Sequence, residues 1–167
     1  MSASVEGNLP GLKALIERMN AANRAVLVGL IAGTKDEPNG TPIAMIGAVH
    51  EFGYEEFNIP ERSWLRGGIR RGTEKINAVN RDSLRKVMLG KMTIEQALHR
   101  EGVVAVGEVK REFTVGTFAP LKPATIAARK RKFGRKSTRP LIASGNLRSA
   151  VTYQLEGQQS ANARIIE

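Results

Sequence analysis

The pattern of apolar and polar residues divides the first quarter of the chain into a helix, a strand and a loop. Apolar residues spaced three or four apart predict an amphipathic helix over residues 10–23. The apolar run at residues 25–32 contains no charge and includes β-branched side chains, which predicts a strand buried on both faces. Turn-forming residues then fill positions 34–42, where we expect an exposed loop.

Two helices are predicted in the next stretch. An apolar segment at residues 43–52 indicates a short helix that ends where Gly53 supplies a C-terminal cap. A longer amphipathic helix begins after Ser63, which serves as its N-cap, and ends at Gly90. The adjacent glycines Gly67 and Gly68 should weaken the beginning of this longer helix.

The second half of the chain starts with another long helix. Thr93 and Gln96 have the spacing of a capping box, and apolar residues stay in helical phase from there to about Val115. We expect this helix and the preceding one to pack as a hairpin. Residues 116–140 are rich in proline, glycine and bases, and they predict an extended basic loop with at most one short helix, at 125–132.

The C-terminal residues return to a strand pattern. Apolar and polar residues alternate over residues 151–155, and a turn at 157–160 leads to a second apolar stretch at 164–166, so we expect a C-terminal β-hairpin. The sequence therefore predicts a single α+β domain spanning residues 1–167. In this domain a small mixed or antiparallel sheet packs against helices.

Composition excludes several kinds of protein. At 167 residues the chain is long enough to bury a core without support from metals or disulfides. It contains no cysteine, which excludes disulfides, thiol nucleophiles and cysteine-based metal sites. The longest apolar run is too short to cross a bilayer, and the N-terminus lacks the pattern of a signal peptide. We therefore expect a soluble intracellular protein without membrane contact.

Positive charge is concentrated in one part of the chain. The protein has 26 Lys and Arg residues against 16 Asp and Glu. Nine of the bases lie between Phe113 and Leu155, where no acid occurs, so the remainder has 17 bases against 16 acids. We call residues 122–148 the basic segment. Its bases are Lys122, Arg129, Lys130, Arg131, Lys132, Arg135, Lys136, Arg139 and Arg148. Such a segment is either a solvated loop or a contact surface for an anionic partner.

No catalytic constellation is present. His50 and His99 are the only histidines, and neither lies at metal-binding spacing from a second type of ligand. Neighbouring residues on a helix do not face each other, so His50 and Glu51 are expected to form a capped or paired helix end. The glycines at 67–72 are not followed by the Gly-Lys-Ser/Thr sequence of a phosphate-binding loop. We therefore predict no enzymatic activity, catalytic residue, cofactor or metal site.

Four short motifs follow one another along the chain. Residues 49–53 read Val-His-Glu-Phe-Gly, and residues 59–66 read Ile-Pro-Glu-Arg-Ser-Trp-Leu-Arg. Residues 120–126 begin with Pro-Leu and contain a threonine, with lysines downstream, and residues 140–149 begin with Pro-Leu-Ile and contain Ser-Gly-Asn-Leu. The motif residues of structural interest are His50, Glu51, Phe52, Gly53, Pro60, Trp64, Leu65, Ser144, Gly145 and Leu147.

This ordered set resembles bacteriophage morphogenesis proteins of the neck and tail-completion type, and the agreement extends from about Val26 to Leu155. Ser63-Trp64 stands where Pro-Phe is common in such proteins, and Ala143-Ser144 where Asp-Thr is common. Because Ala143 has no polar atom in its side chain, Ser144 is the side chain that remains to cap the turn before Leu147. Related proteins serve as neck adaptor, tail terminator or tail-completion factor, and the motifs do not distinguish these roles.

The resemblance implies a structural subunit of the virion, assembled in the host cytoplasm and located in the neck or tail. It implies a cyclic homo-oligomer of six copies around the channel through which DNA leaves the head. The partners would be portal, connector or head–tail adaptor proteins on one side and tail tube or tail terminator proteins on the other. Phosphates of the passing DNA would be a further contact.

Two interpretations of the large apolar residues Phe52, Trp64 and Leu65 remain open. They form either a folded corner packed on the core or an anchor for a neighbouring subunit. The loop between them mixes aromatic and acidic residues, namely Tyr54, Glu55, Glu56 and Phe57. In a ring, this loop could face residues 129–139 of the next subunit.

The alternative function is nucleic-acid binding without sequence specificity, through the basic segment. Phe133 is the only aromatic residue within positions 129–139, and one ring is not a platform for base stacking. Any such contact would therefore be made with phosphates.

Overall fold

The computed structural model describes residues 11, 13–14, 16–17, 24–31, 37, 40–133 and 138–156. The elements in chain order are strand β1 (Val26–Gly29), helix α1 (Ile43–Phe52), a 3₁₀ turn (Glu55–Phe57), helices α2 (Trp64–Met88), α3 (Ile94–Val115), α4 (Pro123–Phe133) and α5 (Asn146–Ala150), and strand β2 (Thr152–Leu155). The five described positions between 11 and 17 are helical, in agreement with the helix predicted at 10–23; the rest of that helix lies outside the described residues. No helix in the described ranges combines the length and hydropathy needed to cross a membrane.

A hairpin of α2 and α3 forms the framework of the fold, as predicted. The capping box at the start of α3 is present: the Gln96 backbone N–H donates to Thr93 Oγ1 over 3.1 Å, and the Thr93 N–H donates to the Gln96 side chain over 3.0 Å. The central core lies between this hairpin and the shorter elements. Its buried residues are Ile43, Trp64, Val109, Phe113, Leu141, Leu147 and Val151.

The glycines of α2 allow the two helices to approach closely. A Cβ atom at Gly68 would lie 2.6 Å from the Cα of Val109, and one at Gly72 would lie 2.6 Å from the Cβ of Glu108. A larger residue at either position would therefore collide with α3. The expectation that the glycine pair weakens the start of α2 overlooked this packing role.

Within the described residues the sheet consists of two antiparallel strands. Strands β1 and β2 pair in a register that sets Val26 opposite Leu155 and Gly29 opposite Thr152. The small α+β fold is thus confirmed. The prediction that the first strand is buried on both faces is wrong, because helix α3 covers one face and Leu27, on the other face, is 54% exposed. The second arm predicted for a C-terminal hairpin, at 164–166, lies outside the described residues.

Helices α1 and α4 agree closely with the sequence prediction, whereas helix α5 was predicted only as a turn. Helix α1 has the predicted bounds and ends at Gly53, whose φ of 77° is readily adopted only by glycine. Helix α4 begins two residues before the predicted 125–132 segment, because Pro123 is well accommodated in a first helical turn. At the start of α5, the Asn146 N–H donates to Ser144 Oγ over 3.2 Å, which confirms the capping role expected of Ser144.

Candidate functional site

The first two motifs are joined by the buried carboxylate of Glu51. This side chain is only 3% exposed, and it accepts hydrogen bonds from the backbone N–H of Leu65 (2.8 Å), the backbone N–H of Arg66 (3.1 Å) and Arg66 Nε (2.8 Å). The N–H groups in the first turn of a helix have no partner within the helix, so Glu51 caps α2. Ser63 occupies the N-cap position as predicted, but its hydroxyl donates to Glu61 instead.

Trp64 is part of the core. Its side chain is 2% exposed, its Nε1–H donates to the carbonyl of Gly47 over 3.0 Å, and its ring centroid lies 5.3 Å from that of Phe113. Leu65 is half-buried and packs against the same core. The core interpretation is therefore confirmed for Trp64 and Leu65.

In contrast to the buried Trp64, Phe52 and the 3₁₀ turn form an exposed surface, which we call the aromatic-acidic surface. It comprises Phe52, Tyr54, Glu55, Glu56 and Phe57. Phe52 is 67% exposed, so the core interpretation does not hold for this residue; Phe57 is 70% exposed. The Tyr54 ring stacks on Phe57 at 5.3 Å, and the Tyr54 hydroxyl donates to Glu56 over 2.6 Å, a hydrogen bond that raises the pKa of Tyr54. Within the described ranges, no cation lies within ion-pair distance of Glu55 or Glu56.

Arg62 connects the second motif to the third. Its side chain is buried, and it donates from Nε to the carbonyl of Ala119 (3.0 Å) and from Nη2 to that of Pro120 (3.3 Å). Burial lowers the pKa of this guanidinium. The sequence reasoning did not assign a role to Arg62; its only signal was its place within the second motif.

Three bases of the basic segment are used to hold the backbone. Arg129 Nη1 donates to the carbonyls of Arg139 (2.8 Å) and Ile142 (3.3 Å), and so joins the third motif to the fourth. Arg139 Nη1 donates to the carbonyl of Thr114 over 2.7 Å. Arg148 Nε donates to a carbonyl of α3 over 3.1 Å. These arginines hold backbone segments in place, so their side chains are less free to contact a partner than the sequence suggests.

Three other bases of the segment are exposed and point into solvent. The side chains of Lys122, Lys130 and Arg131 make no hydrogen bond or ion pair within the part of the chain that the structure describes. Lys132 is also exposed, whereas Arg135 and Lys136 lie outside the described residues. Of the bases predicted as one group, Arg129, Arg139 and Arg148 thus hold the backbone, whereas Lys122, Lys130 and Arg131 are available for contact.

His50 lies between two of the structural arginines. Burial, followed by the positive charges of Arg62 and Arg129, lowers its pKa from 6.5 to about 4. Its Nδ1 atom is buried and has no hydrogen-bond partner among the described residues. The same residues contain no group of three or more His, Asp or Glu side chains arranged to hold a metal ion. His50 thus lies beside Glu51 at the end of α1, but it forms no acid–base pair within the described residues.

The site therefore has two parts. Hydrogen bonds join the side chains of Glu51, Arg62, Trp64 and Arg129 to backbone groups of neighbouring segments, and we call this region the motif corner. The aromatic-acidic surface and the exposed bases of α4 lie outside it. Comparisons of the chain with models of protein families, with curated proteins and with solved structures found no match.

Proposed function

We propose that the chain is a structural subunit of a bacteriophage head-to-tail junction, in a neck or tail-completion ring that joins the capsid connector to the tail. One observation carries the proposal. The first two motifs precede the α2–α3 hairpin in the sequence and the last two follow it, yet Arg62 of the second motif donates to the carbonyl of Pro120 in the third. Glu51 ties the first motif to the second, and Arg129 of α4 donates to the carbonyl of Ile142 in the fourth. Motifs that matched by chance would have no reason to meet in space, whereas motifs that specify a shared fold must do so.

The exposed surface supports a role in assembly. Phe52, Tyr54 and Phe57 are large aromatic residues on the outside of the chain, and aromatic residues are enriched at protein–protein interfaces. In the proposed ring of six copies, such a surface contacts a neighbouring subunit or a connector or tail protein. The ring surrounds the DNA channel, and the subunit acts through contacts rather than through catalysis.

Nucleic-acid binding without sequence specificity is the second candidate. The exposed Lys122, Lys130 and Arg131 favour it, since they face solvent in a stretch without acids. However, Arg129, Arg139 and Arg148 already bind carbonyl groups, which leaves fewer cations for phosphates than the sequence suggests.

Particle size and DNA affinity, measured across a range of salt, test the two functions against each other. We expect ring-shaped oligomers in electron microscopy that persist from about 50 mM to about 200 mM salt, since apolar contacts are not screened. DNA affinity should be weak and should fall roughly 40-fold over this range if about three phosphates are contacted. A monomer that still binds DNA at about 200 mM salt would favour the nucleic-acid function instead.

A further inference from the structure

Helix α4 has few contacts within its own subunit. Between Pro123 and Lys132, only Ile126 and Arg129 are half-buried, and every other residue is exposed. An isolated helix of 11 residues is marginally stable in water. The helix therefore has a wide face that is free to pack against another molecule.

The chemistry of this free face is distinctive. Ala124, Ala127, Ala128 and Arg131 follow the spacing that places residues on one side of a helix, and Lys130 lies beside them. The alanines form a flat apolar strip against which a ring can lie, while the two cations offer partners for carboxylates. No acid within residues 114–154 neutralises these cations.

The aromatic-acidic surface has the complementary chemistry. Phe52 and Phe57 expose most of their rings, and Glu55 and Glu56 lack a cationic partner in the described ranges. The same chain thus carries an acidic surface with exposed rings and a basic helix with an apolar strip. The Arg66 guanidinium lies 5.0 Å from the centroid of the Phe52 ring, but in the described ranges neither the two acids nor the cations Lys130 and Arg131 have an oppositely charged partner.

We infer that helix α4 of one copy docks on the aromatic-acidic surface of a second copy. The rings of Phe52 and Phe57 lie on the alanine strip, and Glu55 and Glu56 pair with the cations of α4. Because the two surfaces are different parts of the chain, the contact is heterologous, and its repetition forms a ring when the rotation between successive copies closes on itself. This inference rests on the proposed function and identifies the contact between its subunits.

Reciprocal charge reversal tests the contact. The first variant carries Glu55→Lys and Glu56→Lys, and the second carries Lys130→Glu and Arg131→Glu. Each variant alone should self-associate about 100-fold more weakly than the natural chain, because like charges then face each other. An equimolar mixture should recover assembly, since each surface finds an opposite charge on the other variant. All four positions are exposed, so the melting temperature should be unchanged.

A matched control reverses two exposed cations on the second half of α2. Arg81→Glu with Arg85→Glu makes the same change in net charge as the second variant, and it should leave self-association within about twofold of the natural chain. Failure of the mixture to recover, or an equal loss in the control, would overturn the docking inference while the ring itself remained. Absence of any oligomer in the natural chain, together with salt-resistant DNA binding, would overturn the proposed function as well.

Discussion

At the scale of single residues, buried polar side chains hold the motif corner together. Glu51 satisfies two backbone N–H groups of α2, and Arg62 satisfies two carbonyls in the segment that follows α3. Removing either side chain would leave buried polar groups unpaired, which costs more than the net stability of the hydrogen bonds. These charges therefore have a structural role, although in the sequence they are indistinguishable from solvated surface residues.

A pair of alanine substitutions separates the core aromatic residue from the exposed one. We expect Trp64→Ala to lower the free energy of unfolding by ~3–5 kcal/mol, because it removes a fully buried ring and its bond to Gly47. Phe52→Ala should change it by less than ~1 kcal/mol, since that ring is mostly exposed. Urea unfolding of both variants measures the difference. Equal losses would contradict the assignment of Trp64 to the core.

At the scale of elements, the interface between α2 and α3 contains ion pairs as well as apolar residues. Glu108 and Glu112 of α3 are buried, and they pair with Lys75 and Arg71 of α2, each over 2.6 Å. The hydrogen bond from Lys75 is the main cause that lowers the pKa of Glu108. Gly72 leaves the space into which Glu108 fits. The ion pairs thus fix the register of the two helices. A side chain larger than that of Gly72 would push the helices apart.

Two glycine substitutions test this packing. Gly68→Ala places a methyl group against the backbone of α3, and the resulting collision should cost about 1–3 kcal/mol despite the better helix propensity of alanine. Gly107→Ala is the control, because apart from its chain neighbours and the backbone of its own helix nothing described lies within 4 Å of the position its Cβ would take. That variant should gain about 0.5–1 kcal/mol. Thermal melts of both variants decide the matter, and stabilisation by Gly68→Ala would show that the helices do not touch there.

At the scale of the whole molecule, the fold brings like charges together at His50. Arg62 comes from the loop before α2 and Arg129 from α4, and both act on the same imidazole. In the folded protein the His50 imidazole therefore remains neutral at pH values where the same imidazole is protonated in the unfolded chain.

Stability should consequently fall as the pH is lowered from the unfolded pKa of 6.5 towards the folded value of about 4. The unfolded state binds the proton first, so the loss at about pH 4.5 relative to about pH 7.5 should be about 2–3 kcal/mol. The His50→Asn variant cannot take up this proton and should lack that part of the loss. Urea unfolding at both pH values measures it, and identical pH dependence in the two proteins would count against this role of His50.

Local sequence determined most of the secondary structure of this protein, because caps, glycines and apolar periods act over a few residues. The bounds of α1 at Gly53 and the capping box at Thr93 could be read directly from the chain, and the capping turn at Ser144 followed from the resemblance. Concentrated positive charge and a surface loop rich in aromatic and acidic residues were equally visible.

Only the tertiary structure decided which of these residues are buried, paired or free, since that depends on groups distant in sequence. Phe52 and Trp64 are similar side chains in neighbouring motifs, yet only Trp64 faces Phe113 across the core. Arg129 and Lys130 are adjacent bases, yet only Arg129 reaches the carbonyl of Ile142. The helical period of a sequence shows which residues lie on the same face of a helix. What that face contacts is set by the elements that fold against it.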